Sequence, residues 1–200
     1  MAERIIFHVD VNSAFLSWSA AYRIHILGET QDLREVPSVV AGDPESRHGV
    51  ILAKSQPAKK YGIQTGEPLY QALEKYPKLV VIPPDHQAYV EASRHFVNML
   101  RQFSPGVEQY SIDEAWVDMS GTERIFGAPR LAAEQMRKRI WDELGFTVNI
   151  GISNNKLLAK MASDFQKPDL VHTLFPEEIE KKMWPLPVGE LFSVGRATVR

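Results

Sequence analysis

The sequence of 200 residues contains no cysteine. This absence excludes a disulfide-bonded scaffold, a thiolate zinc site and a cysteine nucleophile, and it is consistent with a reducing compartment. The sequence also lacks any run of about 18 apolar residues, the length that a membrane-spanning helix requires. Glu3 places an acid where a signal peptide would be basic. We therefore expect a cytoplasmic protein without a membrane partner.

No strong excess of one charge is present, since 23 basic and 25 acidic residues give a formal net charge of -2. The overall charge therefore provides no argument for a nucleic-acid partner. Residues 124–160, however, carry seven basic and three acidic side chains. Such a stripe either follows a phosphate backbone or forms the solvated face of a helix, and the sequence leaves both interpretations open.

Hydrophobic periodicity predicts an α+β fold that contains the strand and helix order of a ferredoxin-like domain. The order is strand, helix, strand, strand, helix, strand, predicted at residues 4–9, 85–103, 107–112, 115–119, 129–144 and 147–153. Gly145 suits the C-cap of the second helix. The two strands of the hairpin are expected to join tightly around Asp113 and Glu114.

A small α/β insertion is predicted between the first strand and the first of these helices. It begins with a helix that Asn12 or Ser13 would cap, and it continues through short strands and a helix within residues 36–82. After the last strand, a basic helix is expected near residues 155–165, and short helical pieces are expected near 177–183 and 188–192.

The predicted topology brings three carboxylates to one edge of the sheet. The first and third strands of a ferredoxin-like sheet are antiparallel neighbours, so Asp10 at the end of one lies beside Asp113 and Glu114 at the start of the other. Crowded carboxylates resist ionisation unless cations neutralise them, and carboxylate oxygens are preferred ligands of Mg²⁺. The pattern favours a two-ion site for in-line displacement. The alternative, in which Asp10 caps a helix and the Asp-Glu pair forms a turn, remains open.

Three segments of the chain carry a family resemblance. His8–Phe15 (HVDVNSAF) and Tyr110–Asp118 (YSIDEAWVD) resemble the two metal-binding motifs of Y-family translesion DNA polymerases. Gly151–Asp164, followed by Lys167-Pro168-Asp169, is similar to the palm segment that follows in that family. The resemblance implies a palm of residues 1–12 and 85–170, fingers of residues 17–82 and, at 173–200, the opening of a helix-hairpin-helix thumb, with the little finger absent.

The resemblance also implies the roles of individual residues. Asp10, Asp113 and Glu114 would bind two Mg²⁺ ions, with the Val11 carbonyl as a further ligand. Phe15 would be the steric gate that selects deoxynucleotides; without the resemblance, its aromatic ring would be interpreted as a core anchor of the first helix. The nucleotide-binding set would comprise the backbone amides of Ser13, Ala14 and Phe15 together with Gln56, Lys59 and Lys167.

Two positions of the fingers depart from the family pattern. Gln56 and Lys59 stand where the family usually offers a tyrosine and an arginine to the triphosphate. Lysine is a point charge without the two-pronged geometry of arginine, so we expect a weaker or differently oriented grip on the phosphates, with Lys54 or Lys60 as the candidates for compensation. Ser13 replaces a common aromatic residue, and Leu170 replaces the usual glycine after Lys-Pro-Asp.

The function that this resemblance implies is template-directed, low-fidelity translesion DNA synthesis in DNA repair. Its partners would be primer-template DNA, deoxynucleoside triphosphates and a sliding clamp reached through a C-terminal region. One alternative is a non-catalytic DNA-damage-response module that keeps the fold and binds DNA or a replication partner. A second is a nucleotide cyclase, which also uses a ferredoxin-like palm and two metals.

Other aromatic and histidine residues are expected to be structural. His8 alternates with Asp10 on one face of the first strand, where a secondary role in the site is the less favoured interpretation. The four tryptophans, Trp18, Trp116, Trp141 and Trp184, are interpreted as core or interdomain anchors.

Overall fold

The computed structural model of the chain describes residues 4–42, 49–195 and 197–198. The predicted limits of the palm at residue 1 and of the thumb at residue 200, and part of the predicted fingers, therefore lie outside the described residues. The described chain divides into two compact units, one from residues 1–12 and 95–200 and one from residues 13–94.

The described residues form eight strands and eight α-helices. The strands are β1 (Ile6–Val11), β2 (Ser38–Ala41), β3 (Ile51–Lys54), β4 (Val80–Ile82), β5 (Val107–Gln109), β6 (Glu114–Asp118), β7 (Val148–Ser153) and β8 (Val171–Thr173). The helices are α1 (Ala14–His25), α2 (Gln56–Lys59), α3 (Leu69–Lys75), α4 (His86–Leu100), α5 (Glu123–Phe126), α6 (Pro129–Leu144), α7 (Lys156–Ser163) and α8 (Ile179–Lys182). Short 3-10 helices lie at Pro176–Glu178 and Val188–Glu190.

The first unit contains a five-stranded sheet in the order β5-β6-β1-β7-β8. Strands β5, β6, β1 and β7 pair antiparallel with one another and have the ferredoxin-like order, while β8 adds to the edge in parallel with β7. The predicted α+β class and the central pairing of the first and third strands of this domain are confirmed. Every residue of β1 and β7 is buried, because these strands lie in the middle of the sheet and under α7.

Helix α7 lies unusually close to β7 at Gly151. A Cβ atom on Gly151 would overlap the carbonyl oxygen of Ala159 and the amide nitrogen of Ser163. Only glycine therefore permits this approach of the helix backbone to the sheet. Asn155 begins the helix, and its side chain accepts a hydrogen bond from the Leu158 amide at 2.9 Å.

The second unit contains a three-stranded sheet in the order β3-β2-β4. Leu16 and Ala20 of α1 pack with Val40, Ala53 and Ile82 of this sheet. A second apolar cluster of this unit includes residues of β2 and β3 together with residues of α2 and α3. Burial against these helices explains why the short apolar runs of the insertion form strands rather than loops. No helix among the described residues has the length and apolarity needed to span a membrane.

Some local predictions were wrong. Ser13 holds the N-cap position of α1, but in the described structure its side chain makes no capping hydrogen bond. Its backbone is left-handed, with φ 47° and ψ 51°, whereas a capping side chain folds back from an extended residue. The C-cap prediction is confirmed, because Gly145 is left-handed with φ 74°.

For the tryptophans, the core interpretation holds for two of the four, and the interdomain interpretation of the other two stays a prediction. Trp18 and Trp116 are buried, but Trp141 is 48% exposed and Trp184 is 70% exposed. The buried positions of α6 form a stripe through Ala132, Met136 and Ile140, and residue 141 lies one position beyond that stripe.

Candidate active site at the end of the central strand pair

Asp10 and Glu114 lie directly opposite each other on β1 and β6. Directly paired residues of antiparallel strands have Cβ atoms about 5 Å apart, so the two carboxylates project from adjacent points on one face. The Val11 amide donates a hydrogen bond to the Asp113 carbonyl at 3.0 Å. This bond joins Asp113, the residue directly before Glu114, to β1. The predicted approach of these three acidic residues is therefore present in the backbone.

The turn between β5 and β6 is longer than predicted and comprises residues 110–113. It closes because the amides of Tyr110 and Ser111 both donate to the Glu114 carbonyl, at 2.9 and 3.2 Å. The Ser111 hydroxyl lies 2.7 Å from Asp113 Oδ1 and 3.1 Å from Glu114 Oε2. One hydroxyl thus holds a carboxylate oxygen of each residue on the same side of the turn.

Two lysines neutralise Asp10 from the other side of the site. Lys160 Nζ, on α7, lies 3.2 Å from Asp10 Oδ2 and 3.1 Å from Asp164 Oδ2, and it also binds Glu114 Oε1. Lys167 Nζ lies 2.9 Å from Asp10 Oδ2 and 3.0 Å from Asp164 Oδ1. The side chain of Lys160 is 8% exposed and that of Lys167 is 35% exposed, so the first is enclosed and the second reaches solvent.

The charges of this cluster depend on one another. Burial raises the pKa of the Asp10 carboxyl, and the nearby Lys167 and Lys160 only partly offset that effect. Burial would lower the pKa of Lys160, but Asp10 and Glu114 outweigh it, so the pKa is raised and the ammonium stays charged. The pKa of Lys167 is raised in the same way, with burial opposed by Asp10 and Asp164.

His8 lies fully buried beneath the carboxylates. Its Nδ1 lies 2.8 Å from the Ser163 hydroxyl, which donates its own proton to the Lys160 carbonyl. Nδ1 therefore carries the histidine proton, and Nε2, 3.8 Å from Glu114 Oε1, has no hydrogen-bond partner among the described residues. Burial, followed by the charge of Lys160, lowers the pKa of His8 to about 3, so the ring is neutral.

The donor atoms of this cluster fit a divalent cation. His8, Asp10 and Glu114 each present a ligand atom, and these atoms lie within 4.8 Å of one another. Carboxylate oxygens dominate the set, which suits a hard cation such as Mg²⁺. Asp113 is joined to Glu114 through Ser111, and it would extend the same site on the side of the turn.

The remaining predicted residues belong to the second unit. Gln56 and Lys59 are exposed at the two ends of α2, which Ser55 caps by accepting a hydrogen bond from the Ala58 amide. Phe15 is half-buried, and its ring stacks on Tyr89 with centroids 4.7 Å apart and planes 17° apart. Ala14 is buried at the start of α1, next to the exposed Ser13.

The basic stripe predicted at residues 124–160 is largely paired with acids. On α6, Arg137 binds Asp169 at 2.6 Å, Arg139 binds Glu143 at 2.8 Å, and Lys138 binds Asp142. These pairs favour the interpretation of a solvated helix face over that of a free phosphate-binding surface.

Three members of the site were not predicted from the sequence: Lys160, Ser111 and Asp164. Each lies inside a segment that carried the family resemblance. For Lys160 and Asp164, the available signal was their spacing of four, which places Asp164, the C-cap residue of α7, on the same side of the helix as Lys160. For Ser111, the signal was its place two residues before Asp113, where a hydroxyl accepts or donates within a turn.

Comparison with known proteins identifies the family. The family model described as impB/mucB/samB matches residues 9–164, which is more than half of the chain and contains Asp10, Asp113, Glu114 and Lys160. The chain belongs to the impB/mucB/samB family. The resemblance to Y-family DNA polymerases is thereby confirmed.

Relatives of this impB/mucB/samB chain carry the name DNA polymerase IV. The protein from Clostridium acetobutylicum is 55% identical over 197 residues, which are 98% of this chain and 49% of that protein. DNA polymerase IV 2 from Bacillus subtilis is 39% identical over 198 residues, or 98% of this chain and 46% of that protein. The chain thus spans about half the length of the curated relatives it matches.

Solved structures share the fold. DinB from Sulfolobus solfataricus superimposes with a TM-score of 0.82 at 24% identity, covering 98% of this chain and 55% of that chain. An insertion ternary complex of Dbh DNA polymerase superimposes with a TM-score of 0.81 at 24% identity, covering 96% and 55%. The fold of this chain is therefore that of Y-family polymerases.

Proposed function

We propose that this chain is the catalytic part of a translesion DNA polymerase, which transfers a deoxynucleotide to a primer 3′-hydroxyl as a template directs. The observation that carries the proposal is the approach of Asp10, Asp113 and Glu114 at one end of the β1–β6 pair. The names of the relatives at 55% and 39% identity support the same activity.

Two Mg²⁺ ions are the cofactors that we propose for this site. Asp10, Asp113 and Glu114 would hold them, with the Val11 carbonyl as a further ligand. When bound, such ions supply a lowered pKa for the primer hydroxyl and charge neutralisation for the triphosphate. The protein's own contribution is to keep three carboxylates together before the ions arrive, through the strand register and the Ser111 hydroxyl.

Lys167 is the residue of the first unit that we propose for the triphosphate. Its ammonium binds Asp10 and Asp164 but is 35% exposed, and partly exposed ion pairs exchange partners at small cost. Lys59 and Gln56 of α2 would contact the phosphates from the fingers, together with the amides of residues 13–15 at the start of α1. A lysine at position 59 would hold the phosphates by charge alone.

Phe15 is the steric gate that we propose. The stack on Tyr89 holds its ring in one orientation, and the Tyr89 hydroxyl is in turn 3.0 Å from the Ser19 hydroxyl. A ring fixed in this way excludes a 2′-hydroxyl by shape, because it cannot turn aside to admit one.

The wider assignments are part of the same proposal. They are a palm of residues 1–12 and 85–170, fingers of 17–82 and a partial thumb of 173–200, acting on primer-template DNA in the cytoplasm during repair. A sliding clamp would be a further partner of the longer protein.

The test is single-nucleotide extension of a labelled primed template with Mg²⁺, comparing the chain with its Asp113→Ala/Glu114→Ala variant. We expect template-matched extension that the double substitution abolishes. A folded, DNA-bound chain that extends nothing would instead support the non-catalytic damage-response module. Nucleotide turnover that needs no primed template would instead support the cyclase.

A further inference from the structure

Lys160 occupies the position of a cation inside the carboxylate cluster. Its ammonium contacts three acids at once, Asp10, Glu114 and Asp164, and its side chain is 8% exposed. Removing a lysine ammonium from water costs free energy, and attraction to anionic partners offsets that cost. Its position is therefore a specific feature of the cluster and not a solvated surface charge.

Rigid packing aims the Lys160 ammonium at the cluster. Helix α7 is seated on β7 at Gly151, and its Ala159 packs in one apolar cluster with Ile6 of β1 and Trp116 of β6. The ring of Phe192 lies 6.0 Å from the ammonium. Because the helix backbone touches the sheet, Lys160 cannot move away without a change in its side-chain rotamer.

The Lys160 ammonium and the Ser111 hydroxyl bind different carboxylate oxygens. Glu114 presents Oε1 to Lys160 and Oε2 to the Ser111 hydroxyl, while Asp10 presents Oδ2 to both lysines. The neighbouring His8 is proton-free at Nε2, so it adds no positive charge on this side. Lys160 is thus the enclosed positive charge that the described residues place between Asp10 and Glu114.

We infer that Lys160 is an internal counter-ion of the metal site, which neutralises Asp10 and Glu114 without metal and competes with the divalent ions for their oxygens. The inference rests on the proposed function, because it assumes that these carboxylates bind divalent ions. It assigns to Lys160 a positioning role that differs from the phosphate contact proposed for Lys167, whose exposure leaves it free to change partners.

The test measures Mn²⁺ binding, in the absence of DNA and nucleotide, by the electron paramagnetic resonance signal of free Mn²⁺. We expect Lys160→Met to bind Mn²⁺ about ten-fold more tightly, because a like charge within a few ångströms of the site has been removed. Lys138→Met is the matched control, since Lys138 is an exposed ion-pair partner on α6, and its Kd should equal that of the wild-type chain.

Unchanged or weaker Mn²⁺ binding by folded Lys160→Met would overturn the inference. Equal binding by the wild-type chain and Asp113→Ala/Glu114→Ala would instead refute the proposed metal site, so the two failures are distinguishable. Should Lys160→Met not fold, lysine Nζ nuclear magnetic resonance of the wild-type chain decides, with the Lys160 signal assigned from Lys160→Arg. We expect that signal to shift when Mg²⁺ is added, and a signal unchanged at saturating Mg²⁺ would overturn the inference.

Discussion

Substitution of Gly151 tests the contact that positions α7, and with it Lys160, over the carboxylates. An alanine Cβ at this position would overlap the Ala159 carbonyl oxygen and the Ser163 amide nitrogen, and it would lie 2.9 Å from the Ala162 Cβ. Both overlapping atoms belong to the helix backbone, so no side-chain rotation relieves the clash. The helix must move away from β7, or the strand must bend.

The cost of Gly151→Ala follows from the two opposing effects. Overpacking a well-packed core costs about 1–3 kcal/mol, and two backbone overlaps place this site at the upper end of that range. Alanine also lowers the conformational entropy of the unfolded chain, which stabilises the folded state by about 0.4–1 kcal/mol. We expect a net loss of about 2 kcal/mol, which lowers the midpoint of thermal unfolding by roughly 4–8 °C for a chain of this size.

Circular dichroism during heating measures this shift. Gly195→Ala is the matched control, because a Cβ atom on Gly195 would meet no heavy atom within 4 Å and its φ is not positive. That variant should unfold within about 1 °C of the wild-type chain, since surface substitutions usually cost less than about 0.5 kcal/mol. Equal midpoints for Gly151→Ala and Gly195→Ala would refute the close seating of α7.

Three further predictions concern single side chains. Phe15→Ala should raise the ratio of ribonucleotide to deoxynucleotide incorporation by at least about ten-fold, because the ring would no longer exclude the 2′-hydroxyl. The ratio is measured from two primer-extension rates. An unchanged ratio would contradict the steric gate. Lys59→Arg should lower the Michaelis constant for the nucleotide by restoring two-pronged phosphate contact, and an unchanged or higher constant would count against that role. Burial would raise the pKa of Asp118, but the Ser120 hydroxyl and Arg4 outweigh burial and hold the pKa below its usual value. The stability from this carboxylate is therefore present above the unfolded-state pKa of about 3.9 and is lost as the pH falls through the folded-state pKa. Urea unfolding should show Asp118→Asn less stable than the wild-type chain at pH 7 and nearly equal to it near pH 2; a difference that is independent of pH would contradict the ion pair.

The backbone of the candidate site was predictable because it depends on short-range pattern and on topology. The apolar run of β1, the hairpin that leads into β6 and the ferredoxin-like order were enough to place Asp10 beside Glu114. The turn before β6 was predicted around residues 113 and 114 but comprises residues 110–113. The amides of Tyr110 and Ser111 both donate to the Glu114 carbonyl, so β6 begins at Glu114.

The counter-charges of the site were not predictable in the same way. Lys160 is 150 residues from Asp10 in sequence, and only the seating of α7 on the sheet brings the two side chains together. Ser13 shows the opposite case, since its residue type favours a helix cap but its left-handed backbone turns the hydroxyl away from that role. At Ser13 the backbone conformation overrides the local preference for a cap, whereas tertiary packing of α7 positions Lys160.

The most direct test of the account compares two aspartates near the two ends of the β1–β6 pair. Asp10 lies opposite Glu114 in the candidate site, whereas Asp118 lies opposite Ile6 and pairs with Arg4 outside that site. The measurement is Mg²⁺-dependent extension of a primed template by one matched nucleotide. The account predicts that Asp10→Asn abolishes extension while Asp118→Asn retains it. Extension that survives Asp10→Asn would contradict the central claim that the carboxylates at this end of the sheet carry out the reaction.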